Sequence, residues 1–245
     1  MTGVAVVTGG SKGIGRAITE CLAGDGFEVV AVGRDASALE EVGRVEGVTG
    51  QVCDVTDEAQ VEALFADLPA LHVLVNNAGM SSSAPLSRTS LADWQQQMDV
   101  NATAAFLCTR AAVPRLQQSA WGRIVTVASY AGLVGAPYIS AYTASKHAAV
   151  GLMRATAAEL AGTAVTANAV CPGYVRSQMT DRTVARIVEK TGRSADEAES
   201  ALLEMSPLGR LIEPEEVAAA VHYLCSPNAA AVNGQTLTID GGPSL

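Results

Sequence analysis

Seven short apolar runs rich in β-branched residues punctuate the chain: VAVV, FEVVAV, GQVCDV, HVLV, RIVTVAS, VTANAVC and QTLTID. Between them lie longer stretches with apolar residues at helical spacing, opening near Ile14, Ser37, Asp57, Leu91, Tyr142, Thr183 and Glu213. Such alternation is the signature of βαβ units, so the pattern predicts an α/β fold with a parallel sheet flanked by helices. Several openings carry Asp or Ser where an N-cap is expected, and Pro214 after Glu213 suits a first helical turn. No repeat, low-complexity tract or linker interrupts the pattern, and residues 1–245 are read as one domain. The long departure is residues 173–212, which separate the sixth strand from the last main helix and contain two amphipathic helical segments. An insertion of that kind in a compact domain is expected to be a functional lid. Met179, Val184, Ile187, Val188, Leu202, Leu203 and Met205 are its candidate apolar lining, some of them needed instead to pack it onto the body.

Composition narrows the classes of function. The net charge of −9 and the absence of a basic run argue against nucleic-acid and anionic-membrane surfaces, which require clustered Lys and Arg. No stretch reaches the ~18 apolar residues of a membrane span and no signal-peptide pattern opens the chain, so a cytoplasmic protein is expected. Cys21, Cys53, Cys108, Cys171 and Cys225 are odd in number and lack a C-x-x-C pair, which predicts neither a disulfide framework nor a zinc site. His72, His147 and His222 share no ligand spacing, so no metal is expected.

Three local patterns carry chemistry. In VAVVTGGSKGIGRA a strand passes through Gly9, Gly13 and Gly15 into a helix, and such glycines let backbone amides approach a pyrophosphate at the helix N-terminus. At the end of the second strand, VAVGRDAS places Gly33 where a carboxylate for a ribose 2′-hydroxyl would stand. Arg34 follows it, Lys12 is a second cation, and Asp35 is read as a helix N-cap, a combination that favours NADP(H). In SAYTASKHAAVG, Tyr142 and Lys146 stand four residues apart on one helical face, where a phenol and an ammonium can converge.

Taken in order, TGGSKGIG at 8–15, DV at 54–55, NNAG at 76–79, Asn101, Ser129, Y-x-x-x-K at 142–146 and PG at 172–173 resemble the short-chain dehydrogenase/reductases. The resemblance covers residues 2–242 and implies a Rossmann-like, doubly wound domain of seven parallel strands. It implies that Tyr142 donates and accepts the proton, Lys146 is its electrostatic partner, Ser129 holds the substrate oxygen, and Asn101 anchors a water relay reaching Lys146. It further assigns cofactor contact to Gly9, Ser11, Lys12, Gly13, Ile14, Gly15, Arg34, Asp54, Val55, Asn77, Ala78, Gly79, Tyr142, Lys146, Pro172, Gly173 and Val175. A phenol with a pKa of about 10 needs about 4 kcal/mol of added phenolate stabilisation to become a base at neutral pH, which Lys146 and an oxidised nicotinamide ring could supply.

The wording of AVCPGYVRSQM and of SPLGRLIEPEEVAAAVHYLCSPNAAAVNGQTLTIDGG is most similar to 3-oxoacyl-thioester reductases and aromatic-polyketide ketoreductases. QQSAWG and ELAGTAVT, however, lack the cations expected to dock an acidic acyl carrier protein, which shifts the expected substrate toward a CoA thioester or a small ketone. Two alternatives stay open: a secondary-alcohol or hydroxy-acid dehydrogenase working oxidatively, and a redox-sensing protein that binds NADP without turnover. The resemblance also implies a homotetramer, with which the apolar faces of AAFLCTRAAV and AAVGLMRATAAELA are consistent.

Overall fold

All the strand pairings are parallel, in the order β3-β2-β1-β4-β5-β6-β7, within a computed structural model that describes residues 3–204 and 206–242. The strands are β1 (Gly3–Thr8), β2 (Phe27–Gly33), β3 (Val48–Val52), β4 (Val73–Asn76), β5 (Gly122–Val127), β6 (Val165–Pro172) and β7 (Thr236–Ile239). The helices are α1 (Gly13–Gly24), α2 (Ala36–Val42), α3 (Glu58–Ala66), α4 (Leu91–Met98), α5 (Ala104–Leu116), α6 (Ser140–Glu159), α7 (Gln178–Thr191), α8 (Ala195–Leu203) and α9 (Pro214–Cys225). This is the doubly wound, Rossmann-like arrangement the sequence predicts.

Each central strand is buried on both faces, which explains its continuous apolar run. Side chains alternate across the sheet, so Ala5 and Val7 pack with Ile18 and Leu22 of α1 and Val217, Val221 and Leu224 of α9. Val6, one residue out of phase, joins Val61 and Phe65 of α3, Leu107 and Leu116 of α5, and Met153 of α6 on the opposite face. Local chemistry sets the helix starts: the side chains of Asp35, Asp57 and Ser90 accept the amides of Ala38, Gln60 and Asp93 at 3.1, 3.1 and 3.0 Å.

Several boundaries differ from expectation for definable reasons. β3 lies at the sheet edge and ends at Val52, which leaves Cys53, Asp54 and Val55 beyond it instead of inside a strand. β5 ends at Val127, so Ser129 stands past the strand end. In the segment 173–212, α7 begins five residues before Thr183 because Ser177 caps it. A parallel bridge between Val175 and Ile212 fastens the two ends of that segment together. The stretch QMDVNATAAFLC is not one regular helix: Asp99–Thr103 form a π-helical turn between α4 and α5, with the Ala104 amide bonded back to Asp99.

The strand order reverses between β1 and β4, and a crevice opens beyond their C-terminal ends. Thr8 closes the base of that crevice. Its hydroxyl donates to the carbonyl of Val75 at 3.3 Å and accepts the amides of Asn77 and Ala78 at 2.9 and 3.0 Å. Thr8→Val keeps the shape of this buried side chain but leaves two amides without a partner, so chemical denaturation is expected to show a loss of about 2 kcal/mol or more.

Candidate active site

The glycine turn is built for close approach. Gly9 and Gly13 have φ of +65° and +51°, and a Cβ on Gly15 would lie 2.1 Å from the Gly9 carbonyl oxygen. Asn77 holds the turn from beneath, its side-chain nitrogen donating to the carbonyls of Thr8 and Gly9 at 2.9 and 3.3 Å. The first turn of α1 has no side-chain cap, and a Cβ on Gly13 would meet only Ser177, at 3.8 Å. Uncapped amides at a helix N-terminus facing open space fit the diphosphate of a dinucleotide. Ser11 is buried in this turn and Ile14 packs on the core behind it.

At the adenosine end the two predicted cations are not free. Lys12 Nζ lies 2.5 Å from Asp35 Oδ2, and Arg34 Nη1 lies 3.6 Å from Asp54 Oδ2. Asp35 is the N-cap expected from sequence and is also a counter-ion, which was not expected. The Asp54 carboxylate accepts the amide and hydroxyl of Thr56 at 3.0 and 2.7 Å, and these bonds hold its pKa below the ordinary value, with a smaller contribution from Arg34. Val55 is buried beside it. Across the crevice, the Gly173 amide donates to Ile239 at 2.9 Å, which fixes Pro172 and Gly173 at the end of β6, and Val175 is held in its bridge.

The catalytic candidates converge past β5. Ser129 opens a single 3-10 turn and accepts the Ala131 amide at 3.1 Å, with its hydroxyl near that of Tyr142. Burial holds the Tyr142 pKa above its ordinary value, the Ser129 hydroxyl acting in the opposite direction and Tyr174 and Cys171 adding to the rise. Lys146 is not among the groups that set this shift. Its Nζ stands 5.9 Å from the Tyr142 ring centroid and donates to the Val127 carbonyl at 3.0 Å. Lys146 is 5 % exposed, and burial lowers its pKa to about 8.

Asn101, a poor helix former, sits in the π turn, where regular helical bonding is locally broken. Its side-chain oxygen accepts the Met80 amide at 2.8 Å, and its nitrogen donates to the Met80 carbonyl and to Ser145 Oγ, both at 2.9 Å. Ser145 in turn donates to the Tyr142 carbonyl at 2.8 Å. The Asn101 side chain is thus committed to the segment after Gly79 and to α6, rather than aimed at Lys146. A Cβ on Gly79 would fall 3.1 Å from Asn101 Oδ1 and 3.4 Å from Lys146 Nζ, so glycine lets these groups draw together.

The family described as enoyl-(acyl carrier protein) reductase matches residues 9–244. The chain belongs to the short-chain dehydrogenase/reductase family. It is an oxidoreductase acting on CH–OH or C=O groups. It is 36% identical to a D-beta-hydroxybutyrate dehydrogenase of Cupriavidus necator over 97% of this chain and 96% of that one. It is 35% identical to a 3-oxoacyl-(acyl-carrier-protein) reductase of Synechocystis sp. over 98% of this chain and 96% of that one. A solved actinorhodin polyketide ketoreductase with NADPH superposes with a TM-score of 0.94 at 34% identity, covering 98% of this chain and 97% of that chain.

Thr8, Asn76 and Ser145 were missed from sequence. Thr8 opens the TGGSKGIG motif but was given no role of its own, and the Ser145 hydroxyl, one residue before Lys146, is a hydrogen-bonding signal that was not used. Asn76 is buried and donates to Thr109 Oγ1 at 2.9 Å, tying β4 to α5. Among the described residues no group of three or more His, Cys, Asp or Glu could hold a metal, and no helix is long and apolar enough to cross a membrane.

The depressed Lys146 pKa is a stability statement. Between about pH 8 and its ordinary value near 10.5 the unfolded chain holds a proton that the folded chain has released, so stability rises with pH across that window. Below pH 8 both states are charged and the burial cost is fully present. Lys146→Met should therefore stabilise the cofactor-free protein at pH 7, by up to about 3 kcal/mol, with the difference shrinking toward pH 10 in urea titrations.

Proposed function

We propose that this enzyme is an NADPH-dependent carbonyl reductase whose substrate is the 3-keto group of a 3-oxoacyl thioester, with CoA preferred over a carrier protein. The observation that carries the reading is the convergence of Ser129, Tyr142 and Lys146 at the C-terminal edge of the sheet, beside an uncapped, glycine-built helix N-terminus. NADPH, when bound, supplies the hydride. Tyr142 gives its proton to the carbonyl oxygen as that oxygen gains charge, and its raised pKa suits a group that must begin protonated. Ser129, near the phenol, holds the same oxygen in line. Lys146 contributes its ammonium beside the phenol, and Asn101 with Ser145 fixes the helix that bears Tyr142.

Arg34 and Lys12 at the end of β2 support NADP(H) over NAD(H), as does the NADPH in the related ketoreductase structure. The length of the cover, residues 173–212, supports a substrate larger than a simple ketone, although neither cavity against it is lined by Ser129, Tyr142 or Lys146. A cavity of about 430 Å³ lies against α7 and α8, where Val184, Val188 and Leu211 supply apolar surface. A second, of about 300 Å³, is walled by Ser82, Gln97, Tyr138 and Arg186, and Arg186 reaches across to donate to the Ser83 carbonyl at 3.1 Å. Leu202 is buried, whereas Met179 is partly exposed; Met205 lies outside the described residues. QQSAWG and ELAGTAVT, which lead into β5 and β6, carry no cation for an acidic carrier. The likeness to a hydroxybutyrate dehydrogenase favours a second reading, oxidation of a hydroxy acid, which a preference for NAD⁺ in turnover would support. Leu91 and Trp94 on α4 and Phe106 on α5 are exposed apolar side chains and support burial of this face in a homotetramer.

Acetoacetyl-CoA or a longer homologue should be reduced with NADPH, with little gain from a carrier protein, because remote binding energy in the cover raises kcat/KM. A plain cyclic or aryl ketone turned over more efficiently by about 100-fold, or about 2.7 kcal/mol in transition-state binding, would overturn the thioester assignment. Tyr142→Phe should retain cofactor binding while kcat falls by at least about 100-fold, the loss typical of a removed general acid. Arg34→Ala should weaken NADPH and spare NADH; equal losses in titrations of both would leave Arg34 with a packing role only.

A further inference from the structure

The corner that would receive the adenosine ribose holds two cations and two carboxylates, and the pairs are unequal. β2 and the glycine turn meet here: the Gly10 amide donates to Val32 at 3.2 Å, and a Cβ on Gly33 would lie 3.7 Å from Ser11 Oγ. Arg34 stands at 3.6 Å from Asp54 Oδ2, beyond direct hydrogen-bond length, while Asp54 Oδ1 is held by Thr56 and the carboxylate is a third exposed to water. Arg34 can therefore turn to a phosphate without orphaning its partner. Lys12 is different. Its ammonium is 2.5 Å from Asp35, whose other oxygen accepts the Ala38 amide at 3.1 Å, so α2 fixes this carboxylate within reach of the ammonium. The same contact to Lys12 is the leading cause of the lowered Asp35 pKa, so the carboxylate is charged at neutral pH.

We infer that Asp35 is a specificity-determining residue that competes with the cofactor's 2′-phosphate for Lys12 and thereby keeps the enzyme open to NADH as well as NADPH. The inference rests on the NADP(H) reading above. A dianionic phosphate must either displace Lys12 from Asp35 or sit near an uncompensated carboxylate, whereas a ribose 2′-hydroxyl can donate to Asp35 with the pair intact. Asp35 thus penalises the phosphate and offers the hydroxyl an acceptor. The helix cap and the selectivity element are one carboxylate, which is why a residue read from sequence as purely structural bears on cofactor choice.

The test separates cap from charge. Asn and Ser cap helices about as well as Asp, so Asp35→Asn and Asp35→Ser should melt like the parent while removing the charge. Calorimetric titration with 2′,5′-ADP against 5′-AMP, and with NADPH against NADH, reads binding without turnover. Both variants should bind the 2′-phosphorylated ligands more tightly by about two- to five-fold, the scale of one exposed ion pair, with the ligands lacking that phosphate unchanged or weaker. Combining either variant with Lys12→Ala should abolish that gain, since the gain requires the freed ammonium. Equal shifts for both ligand classes, no shift, or weaker NADPH binding would overturn the inference. The NADP(H) reading is judged separately, by the NADPH-to-NADH ratio of the unaltered protein, whereas the inference is judged by how the variants change that ratio.

Discussion

Where the strand order reverses between β1 and β4, one buried hydroxyl, that of Thr8, ties the end of β1 to the chain beyond β4. Two parallel strands whose connections leave in opposite directions must part at their C-terminal ends, and the chain after β4 then presents amides with no ladder partner. Thr8 accepts two of them, from Asn77 and Ala78, and Asn77 returns its side-chain nitrogen to the carbonyls of Thr8 and Gly9. The glycine turn and the segment beyond β4 are thereby one unit. Everything proposed to touch the dinucleotide's phosphates or nicotinamide is registered to that unit, because Gly15 leaves no room between the turn and Asn77.

From there rigidity passes to the reacting groups through a second polar link. Met80 follows Gly79 and exchanges two hydrogen bonds with Asn101, which donates onward to Ser145, one helical step from Lys146. The π turn makes this possible, since an extra residue in the turn rotates Asn101 inward without ending the helix on either side. The buried Lys146 ammonium then sits at the end of a chain of satisfied groups, donating to Val127 on the neighbouring strand. Its depressed pKa and the raised pKa of Tyr142 have one cause, desolvation, acting on a base and an acid in opposite directions. Both shifts favour the uncharged forms, so the protein alone stores electrostatic free energy at the place where charge is to develop.

How much of this could be read from sequence follows from the range of the interactions. The seven strands were legible because each is an apolar run set by burial on both sheet faces, and Asp35 and Asp57 were legible as helix starts because capping acts within three residues, whereas the Ser177 cap was overlooked and α7 was expected to open near Thr183. The end of β3 was misplaced by three residues because an edge strand with exposed Thr49, Gln51 and Val52 has no burial pattern to mark it. The π turn left a trace only as an ill-placed asparagine. Tyr142, Ser129 and Lys146 were found from their ordered motifs, and the structure brings them together, but the direction of the Tyr142 shift depends on burial that spacing does not encode. Thr8 and Ser145 were overlooked because their partners are far along the chain, in the one case Asn77 and in the other Asn101.

The same limit explains the adenosine corner. A count of residue types at the end of β2 sees Arg34 and Lys12 and infers a phosphate site, since a carboxylate used as a cap is regarded as spent on the helix. A carboxylate has two oxygens, however, and capping α2 uses only one of them. The second oxygen of Asp35 meets a lysine that lies 23 residues earlier in sequence and is brought alongside only by the pairing of β1 with β2. Charge balance at the site is thus a property of the sheet and not of the strand end. Cofactor selectivity in such a corner is set by differences between neighbouring ion pairs, and the pair with a rigid acceptor, Lys12 with Asp35, resists rearrangement more than the longer one between Arg34 and Asp54.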